Sequence, residues 1–267
     1  MDNRAVGVFD SGLGGLTAVR ELRRILPHEK IVFLGDTLRV PYGTRDPETL
    51  RQFAEDDLNF LLSKNVKYIV IACGTVSSNV PEEVLDAVPV PVTGVIAPTV
   101  AAAVSATKNG IIGAIATPAC IGSGAYQRGI AKADPSIKVT AQACPKLVPL
   151  IESFGVSELG SEIDEALEEY LAPIRDSGAD TLILGCTHYP LIADRIRKVM
   201  DRDVTLIDSG AQAARMAKEA LEASGTLASR TGSPRHSFYV TSDPERFTSS
   251  SGYFLGETLG KATLTTL

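Results

Sequence analysis

The sequence predicts an α/β fold built from two similar, doubly wound parallel sheets. Strand and helix patterns alternate along almost the whole chain, which is typical of parallel sheets covered by helices. The pattern also repeats, because an apolar run stops at a cysteine in IVIACGTVSS (69–78) and again in LILGCTHYPL (182–191). With 267 residues, 44% of them hydrophobic, the chain is long enough to build two cores.

The first half alternates between strands and helices. Its predicted strands are short apolar runs at 5–10, 30–36, 66–72 and 90–95. Its predicted helices have apolar residues at helical spacing and lie at 16–26, 47–65 and 81–88. Pro27 ends the first of these helices, and Pro47 suits the first turn of the second.

The second half repeats this order. Its predicted strands lie at 110–117, 137–144, 179–185 and 204–210, and its predicted helices at 96–110, 157–178, 190–200 and 211–224. A stretch rich in Gly, Ser, Thr and Pro then precedes a last strand at 237–243 and a short helical tail. We expect one domain to comprise 1–97 together with 208–267, and the other to comprise 98–207.

Composition and charge exclude several classes of function. The net charge is −6, no cluster of Lys and Arg stands out, and the chain has no Trp, so we expect neither nucleic acid nor an anionic membrane as a partner. The N-terminus lacks a signal-peptide pattern and no apolar run approaches the ~20 residues of a membrane span, which predicts a cytoplasmic protein. The four cysteines have no CxxC spacing and there are only three histidines, which disfavours a metal site and predicts free thiols.

The candidate functional residues follow strand ends, where ligands bind in parallel sheets. Cys73 and Cys186 each end a strand just before a helix, whose N-terminus is expected to lower a thiol pKa toward neutrality. A single cysteine in this position is more often a small buried hydrophobe. Two cysteines in matching contexts instead favour a functional role for both. We expect one thiol from each half to open on a shared cleft. Cys120 and Cys144 lack this setting and are expected to be structural.

Other residues near the strand ends have both functional and structural interpretations. Asp10 could orient or deprotonate a group in the cleft, or it could cap the next helix. The glycines of SGLGG fit neither of the two Gly-rich nucleotide motifs and better suit a small anion such as a carboxylate. His188 could tune the neighbouring thiol, whereas Glu152 alone would be an ordinary helix-surface residue. Tyr42, in the turn PYGTR, could be a lid or simple packing.

Together these stretches resemble the glutamate racemases, in the cofactor-independent aspartate/glutamate racemase superfamily. The motifs that carry the resemblance are GVFDSGLGGLTAVRELRRILP (7–27), PYGTR (41–45), ACGTVSS (72–78), ATP (116–118), ACPKLVPLIE (143–152), GCTHYPL (185–191) and IDSG (207–210). The resemblance implies two α/β domains related by a pseudo-twofold, with the active site in the cleft between them. It also implies a homodimer that supplies D-glutamate for peptidoglycan, and a two-base reaction that needs no cofactor and no metal.

The resemblance also implies roles for individual residues. Cys73 and Cys186 match the two catalytic positions, one on each face of the substrate glutamate. Asp10 would assist the first thiol, while Glu152 and His188 would assist the second. The positions that match substrate-binding residues are Asp10, Ser11, Tyr42, Gly43, Gly74, Thr75, Thr117, Thr187 and His188.

Two positions depart from the family pattern. Gly74 stands where the family usually has Asn, and Cys120 stands where a Thr is common. The missing amide predicts the loss of one hydrogen bond to a charged group, worth ~1.5–3 kcal/mol, or roughly 10- to 150-fold in affinity. Two alternatives therefore stay open, namely a racemase for another small amino acid or carboxylate, and a non-catalytic paralogue. A cysteine hydrolase or a redox dithiol is a weaker alternative, because neither uses both thiols across a bound substrate.

Overall fold

The computed structural model describes residues 1–154, 160–200 and 203–267. The strands are β1 (Val6–Asp10), β2 (Ile31–Gly35), β3 (Tyr68–Ile71), β4 (Val92–Gly94), β5 (Ile111–Ala116), β6 (Lys138–Ala143), β7 (Thr181–Leu184), β8 (Thr205–Asp208), β9 (Ser237–Val240) and β10 (Thr263–Leu264). The helices are α1 (Leu16–Ile25), α2 (Pro47–Ser63), α3 (Gly74–Asn79), α4 (Glu82–Asp86), α5 (Ile96–Ala106), α6 (Pro118–Gly122), α7 (Ala125–Ala133), α8 (Leu147–Phe154), α9 (Ser161–Asp176), α10 (Ala193–Met200), α11 (Ser209–Ala223) and α12 (Pro244–Leu255), with a 3₁₀ helix at Tyr189–Ile192.

The strands form two parallel sheets. The first has the order β10-β9-β2-β1-β3-β4 and the second the order β6-β5-β7-β8. Every strand pairing among the described residues is parallel. The first four strands of each sheet share one order, in which the second strand precedes the first, third and fourth. This common order supports the internal repeat that the sequence predicts, and the predicted α/β fold class is confirmed.

The division of the chain into two domains stays a proposal. All strands of the first sheet lie within residues 6–94 and 237–264, whereas all strands of the second lie within 111–208. This separation fits the proposed units, 1–97 with 208–267 and 98–207.

Burial on both faces explains why the strands are continuous apolar runs. Each residue of β1 is buried, and Val8 packs in the cluster that contains Leu22 of α1, whereas Phe9 packs in the cluster that contains Leu58 of α2. A strand covered by helices on both faces has no side that needs polar residues. Successive residues of β7 also pack in two different clusters, so helices cover both faces of each sheet.

Several elements differ from the sequence prediction. The stretch from 118 to 133 has no predicted element, yet it forms α6 and α7, because Gly122, Gly124 and Gly129 hide the helical pattern. The predicted helix at 190–200 begins with a 3₁₀ turn before α10. The predicted helix at 157–178 corresponds to α9, and its first three residues lie outside the described residues. The C-terminal tail contains β10 as well as α12.

Candidate active site

The carboxyl ends of the two sheets enclose a cleft of about 490 Å³. All twelve residues that the sequence singles out for the site line this cleft. They are Asp10, Ser11, Tyr42, Gly43, Cys73, Gly74, Thr75, Thr117, Glu152, Cys186, Thr187 and His188. They come from the ends of β1, β3, β5 and β7, from the loop before α2, and from α8. The four cysteines are free thiols, so Cys73 and Cys186 are not joined by a disulfide.

Cys73 is the residue before α3 and is almost fully buried, with 5% of its surface exposed. Its thiol donates a hydrogen bond to Ser11, with an Sγ–Oγ distance of 3.8 Å. Burial raises the pKa of Cys73 well above its usual value, and the charge of Asp10 adds to this effect. The expectation that a helix N-terminus lowers this pKa is therefore wrong for Cys73. The cost of burying a thiolate outweighs what the backbone N–H groups of a six-residue helix supply.

The two carboxyl oxygens of Asp10 have different surroundings. Its Oδ2 atom accepts hydrogen bonds from the backbone N–H groups of Gly12 (3.1 Å) and Gly15 (2.9 Å), which shapes the turn before α1. Its Oδ1 atom is buried and has no hydrogen-bond partner among the described residues. Burial raises the pKa of Asp10. One oxygen of this carboxyl group therefore holds the backbone, and the other is left able to accept a proton.

Cys186 stands at the end of a hydrogen-bonded chain of side chains. Its Sγ atom lies 3.7 Å from His188 Nδ1, and His188 Nε2 lies 2.9 Å from Glu152 Oε1. The ring of Phe254 packs edge-on against the imidazole, with the centroids 5.4 Å apart. Only Cys186 and His188 are neighbours in the sequence, because Glu152 lies on α8, 36 residues before His188.

The charges along this chain reinforce one another. Burial alone would lower the pKa of His188, but its contacts with Cys186 and Glu152 raise that pKa to about 10. Burial alone would raise the pKa of Glu152, but the hydrogen bond with His188 and the charges of His188 and Arg246 together lower it. An imidazolium held by a carboxylate therefore lies beside Cys186, whereas a carboxyl group lies near Cys73.

Tyr42 is held by packing and hydrogen bonds beneath the cleft, which favours the packing interpretation over a lid. Its side chain is buried, and its ring lies against Phe53 with the centroids 5.1 Å apart. Its hydroxyl donates to Asp36, and Arg39 forms ion pairs with both Asp36 and Asp57. Burial raises the pKa of Tyr42, so its hydroxyl stays protonated and acts as a donor.

The loop that carries Tyr42 also connects the two halves of the cleft. The carbonyl of Gly43 accepts a hydrogen bond from the N–H of Ala119, at 3.0 Å. Thr75 and Thr117 join across the same boundary, with their hydroxyl oxygens 2.8 Å apart. The polar wall of the cleft is therefore built jointly by the ends of strands from both sheets.

Sequence reasoning missed two ionisable residues that line this cleft. Among the described residues that line it, Arg246 is the only lysine or arginine, and its charge helps to lower the pKa of Glu152. It lies on α12, after the Gly/Ser/Thr/Pro-rich stretch, and no motif marks it. Cys144, expected to be structural, also lines the cleft, and burial raises its pKa. Cys120 is fully buried, as expected of a structural cysteine.

The described ranges contain neither a metal-binding cluster nor a membrane-spanning helix. No group of three or more His, Cys, Asp or Glu side chains there is arranged to hold a metal ion. None of the helices in the same ranges is long and apolar enough to cross a membrane.

Known proteins resemble this chain over nearly its whole length. The model of the Asp/Glu/Hydantoin racemase family matches residues 16–217. A glutamate racemase from Streptococcus gordonii is 44% identical over 259 residues, which cover 96% of this chain and 97% of that protein. The crystal structure of the Francisella tularensis glutamate racemase in complex with D-glutamate has a TM-score of 0.91 at 39% identity and covers 100% of this chain and 98% of that one. A glutamate racemase isoform from Bacillus anthracis has a TM-score of 0.93 at 34% identity, over 100% and 98% of the two chains.

These similarities agree with the cleft described above, in which two strand-end thiols and their polar neighbours come together. The match extends through both sheets rather than over one motif. This chain therefore belongs to the Asp/Glu/Hydantoin racemase family, and it is an enzyme of the racemase class.

Proposed function

We propose that this racemase interconverts L- and D-glutamate by a two-base mechanism, with Cys73 and Cys186 acting on opposite faces of the substrate. The observation that carries the proposal is that both thiols line one cleft but have contrasting surroundings. The glutamate racemases that resemble this chain, one of them bound to D-glutamate, support the choice of substrate.

The contrast between the two thiols suits a reaction that needs one thiolate and one thiol. The imidazolium of His188 is a counter-ion for a thiolate at Cys186, 3.7 Å away. Cys73 has a raised pKa and therefore stays a thiol. In one direction Cys186 takes the Cα proton, forming an S–H bond as the C–H bond breaks. Cys73 then gives its S–H proton to the opposite face of the carbanion.

The reverse direction starts from the opposite protonation state. Cys73 must then be the thiolate, and Asp10 is the group placed to take its proton. The pKa of Asp10 is raised by burial, which brings it closer to that of a thiol, and its Oδ1 atom is free to accept. Release of a proton from Cys186 to solvent and uptake of one by Cys73 return the enzyme to its first state. Asp10 would thus assist proton transfer at Cys73, as Glu152 and His188 would assist it at Cys186.

Substrate binding would rely on hydroxyl and backbone groups. Ser11, Thr75, Thr117 and Thr187 offer hydroxyls around the cleft, and Gly43 and Gly74 expose backbone there. Donors fixed in a dry cleft stabilise the negative charge that develops as the α-proton leaves. Arg246 adds one positive charge for a substrate that carries two carboxylates.

The wider setting of the enzyme is also part of the proposal. We propose that it uses no cofactor and no metal, and that it acts as a homodimer in the cytoplasm. Its product would be D-glutamate for peptidoglycan. Its partner would be the small-molecule substrate alone, with no nucleic acid or membrane. The resemblance to glutamate racemases supports the reaction without cofactor or metal, the homodimer and the product, and the net charge of −6 supports a partner other than nucleic acid or an anionic membrane.

A racemase for another small amino acid or carboxylate is the second candidate. Gly74 favours it, since this position lacks the side-chain amide that the family usually places beside the first thiol. The residues around the two thiols suit proton transfer at Cα whatever side chain the substrate has. Profiling a panel of amino acids separates the two candidates.

Racemisation of L- and D-glutamate in D2O, without added cofactor, tests the proposal directly. We expect inversion with solvent deuterium at Cα, and its loss in both Cys73→Ala and Cys186→Ala. Cys120→Ala, at a buried cysteine outside the cleft, is the matched control and should keep its activity. Inversion that survives either of the first two substitutions would contradict the two-thiol mechanism. An inactive wild-type enzyme with an intact fold would contradict the choice of glutamate.

A further inference from the structure

Two glycines meet at the floor of the cleft, each next to one of the two thiols. Gly74 follows Cys73 in the chain, and Gly185 precedes Cys186. A Cβ atom built on Gly74 would lie 2.4 Å from the carbonyl oxygen of Gly185, closer than the 3.0 Å below which real Cβ atoms essentially never come. The backbone of Gly185 therefore fills the space that any side chain at position 74 would need.

The Gly185 side of this contact is closely packed. A Cβ on Gly185 would lie 2.8 Å from the ring of Tyr126 and 2.9 Å from both Ala116 Cβ and the Ile115 carbonyl oxygen. The N–H of Gly185 also donates to the Ile115 carbonyl, at 2.8 Å. This segment is therefore packed against β5 and fixed by the second sheet.

The Gly74 side is fixed to the first sheet in a similar way. The N–H of Ala72 donates to the carbonyl of Phe9 on β1, at 3.0 Å, and the carbonyl of Cys73 accepts from Ser77, at 2.9 Å. In this chain, a side chain at position 74 would therefore displace one of the two strand-end segments that carry the thiols. Because packed interiors resist local compression, the displacement would reach the two neighbouring thiols.

We infer that Gly74 is a spacing residue, whose missing side chain lets the Gly185 carbonyl close the cleft floor and so sets the separation of Cys73 and Cys186. This inference rests on the proposed two-thiol function. It also differs from the interpretation of Gly74 as a lost substrate contact, because the two interpretations predict opposite effects of a substitution. A missing amide predicts that an asparagine improves the enzyme, whereas a spacing role predicts that any side chain harms it.

Alanine and asparagine substitutions at position 74 distinguish these two interpretations. To reach an ordinary contact of 3.4 Å, the alanine Cβ must move about 1 Å away from the Gly185 oxygen, and a misplacement of that size can lower a rate by ~10²-fold. We therefore expect kcat to fall by about 10²-fold in both directions in Gly74→Ala, and by at least as much in Gly74→Asn. Gly122→Ala, where an added Cβ meets nothing within 4 Å, is the control and should stay within about twofold of wild type.

Deuterium exchange supplies a readout that a merely structural role would not change. With the thiols too far apart, one thiolate still removes the α-proton, but the other thiol delivers its proton less often. The first thiol then exchanges its proton for a deuteron from D2O and returns that deuteron to the face from which the proton came. In D2O we expect Gly74→Ala to accumulate deuterium in the starting enantiomer, so the ratio of exchange to inversion rises above that of wild type. Circular dichroism and thermal unfolding establish that each assayed variant is folded.

Each outcome either supports or overturns the spacing role of Gly74. The spacing role is supported if the wild-type enzyme racemises glutamate, whereas both Gly74 variants lose inversion and have a raised ratio of exchange to inversion. Gly74→Ala behaving like Gly122→Ala, or a Gly74→Asn enzyme roughly 10- to 150-fold better than wild type, would overturn it in favour of the lost amide. Wild-type enzyme without any racemisation would instead overturn the proposed function, and the spacing role with it.

Discussion

His188 gives the two thiols different electrostatic environments. Cys73 and Cys186 have similar sequence contexts, yet the imidazolium lies beside only one of them, and the carboxyl group of Asp10 beside the other. A symmetric pair of thiols would share one protonation state, which a two-base reaction cannot use. The difference between their neighbours therefore contributes more to the proposed mechanism than the likeness of the two motifs.

The raised pKa of His188 makes the stability of the fold depend on pH. A group whose pKa is higher in the folded state adds stability that is fully present below its unfolded pKa and is lost as pH rises through its folded pKa. For His188 this window runs from about 6.5 to about 10. We expect His188→Gln to lower the free energy of unfolding most below pH 6.5, with the deficit shrinking as pH approaches 10.

Urea unfolding of wild type and variant across this window measures the effect. His28→Gln, at an exposed histidine, is the control and should leave the pH dependence unchanged. A deficit of the same size at all pH values would show that the glutamine disturbs packing rather than removing a charged group.

Helix α1 links the two thiol-bearing halves of the cleft through a single hydroxyl. Thr17 Oγ1 lies 2.9 Å from the carbonyl oxygen of Gly14 and 2.9 Å from that of Thr187, and it can donate to either. The side chain is almost fully buried. Gly14 makes this approach possible, since a Cβ there would lie 2.1 Å from Thr187 Oγ1. The helix that starts beside Asp10 therefore also holds the segment that carries Cys186 and His188.

Replacing Thr17 by valine should weaken this link. The valine has nearly the same shape but cannot donate, so a buried carbonyl loses its partner, at a cost of about 1–3 kcal/mol in the free energy of unfolding. We expect kcat to fall as well, because the segment around Cys186 loses a fixed contact. Thr17→Ser keeps the hydroxyl and should retain most of the stability and activity. Urea unfolding and steady-state racemisation measure both effects, and equal behaviour of the two variants would contradict the role of the hydroxyl.

Much of this architecture can be predicted from the sequence because it depends on local pattern. The buried strands are apolar runs, and the motifs at their ends bring Cys73 and Cys186 to one cleft by topology alone. Contacts that depend on three-dimensional approach are different. Nothing in the sequence indicates that Gly74 meets Gly185, or that Arg246 returns to the cleft from α12. The pKa of Cys73 also escaped prediction, because burial outweighs the neighbouring helix.

A buried ion pair joins distant parts of the whole chain. Lys67 Nζ lies 2.8 Å from Glu29 Oε2, with only 1% and 3% of the two side chains exposed. The same ammonium donates to the carbonyls of Asp2 and Thr226, and Glu29 Oε1 accepts from the N–H of Ala228. One pair of side chains thus fastens the N-terminus and the segment after α11 to the first sheet.

Breaking this pair on one side should destabilise the protein strongly. Lys67→Met leaves a buried carboxylate without its partner, and we expect a loss of about 3–5 kcal/mol in the free energy of unfolding. Combining it with Glu29→Gln removes the stranded charge, so the double variant should lose less than the sum of the two single variants. A double-mutant cycle by urea unfolding measures this coupling, and strictly additive losses would contradict it.

The pairing of β9 with β2 also has a consequence for how the chain is made. Val32 and Ser237 are partners in this pairing, although some two hundred residues separate them along the chain. During synthesis the second sheet, whose strands end at Asp208, is complete before β9 emerges from the ribosome. Until then β2 is an open edge, able to pair with another nascent chain. The edge of the first sheet therefore stays exposed to aggregation until β9, which follows every strand of the second sheet in the chain, has been synthesised.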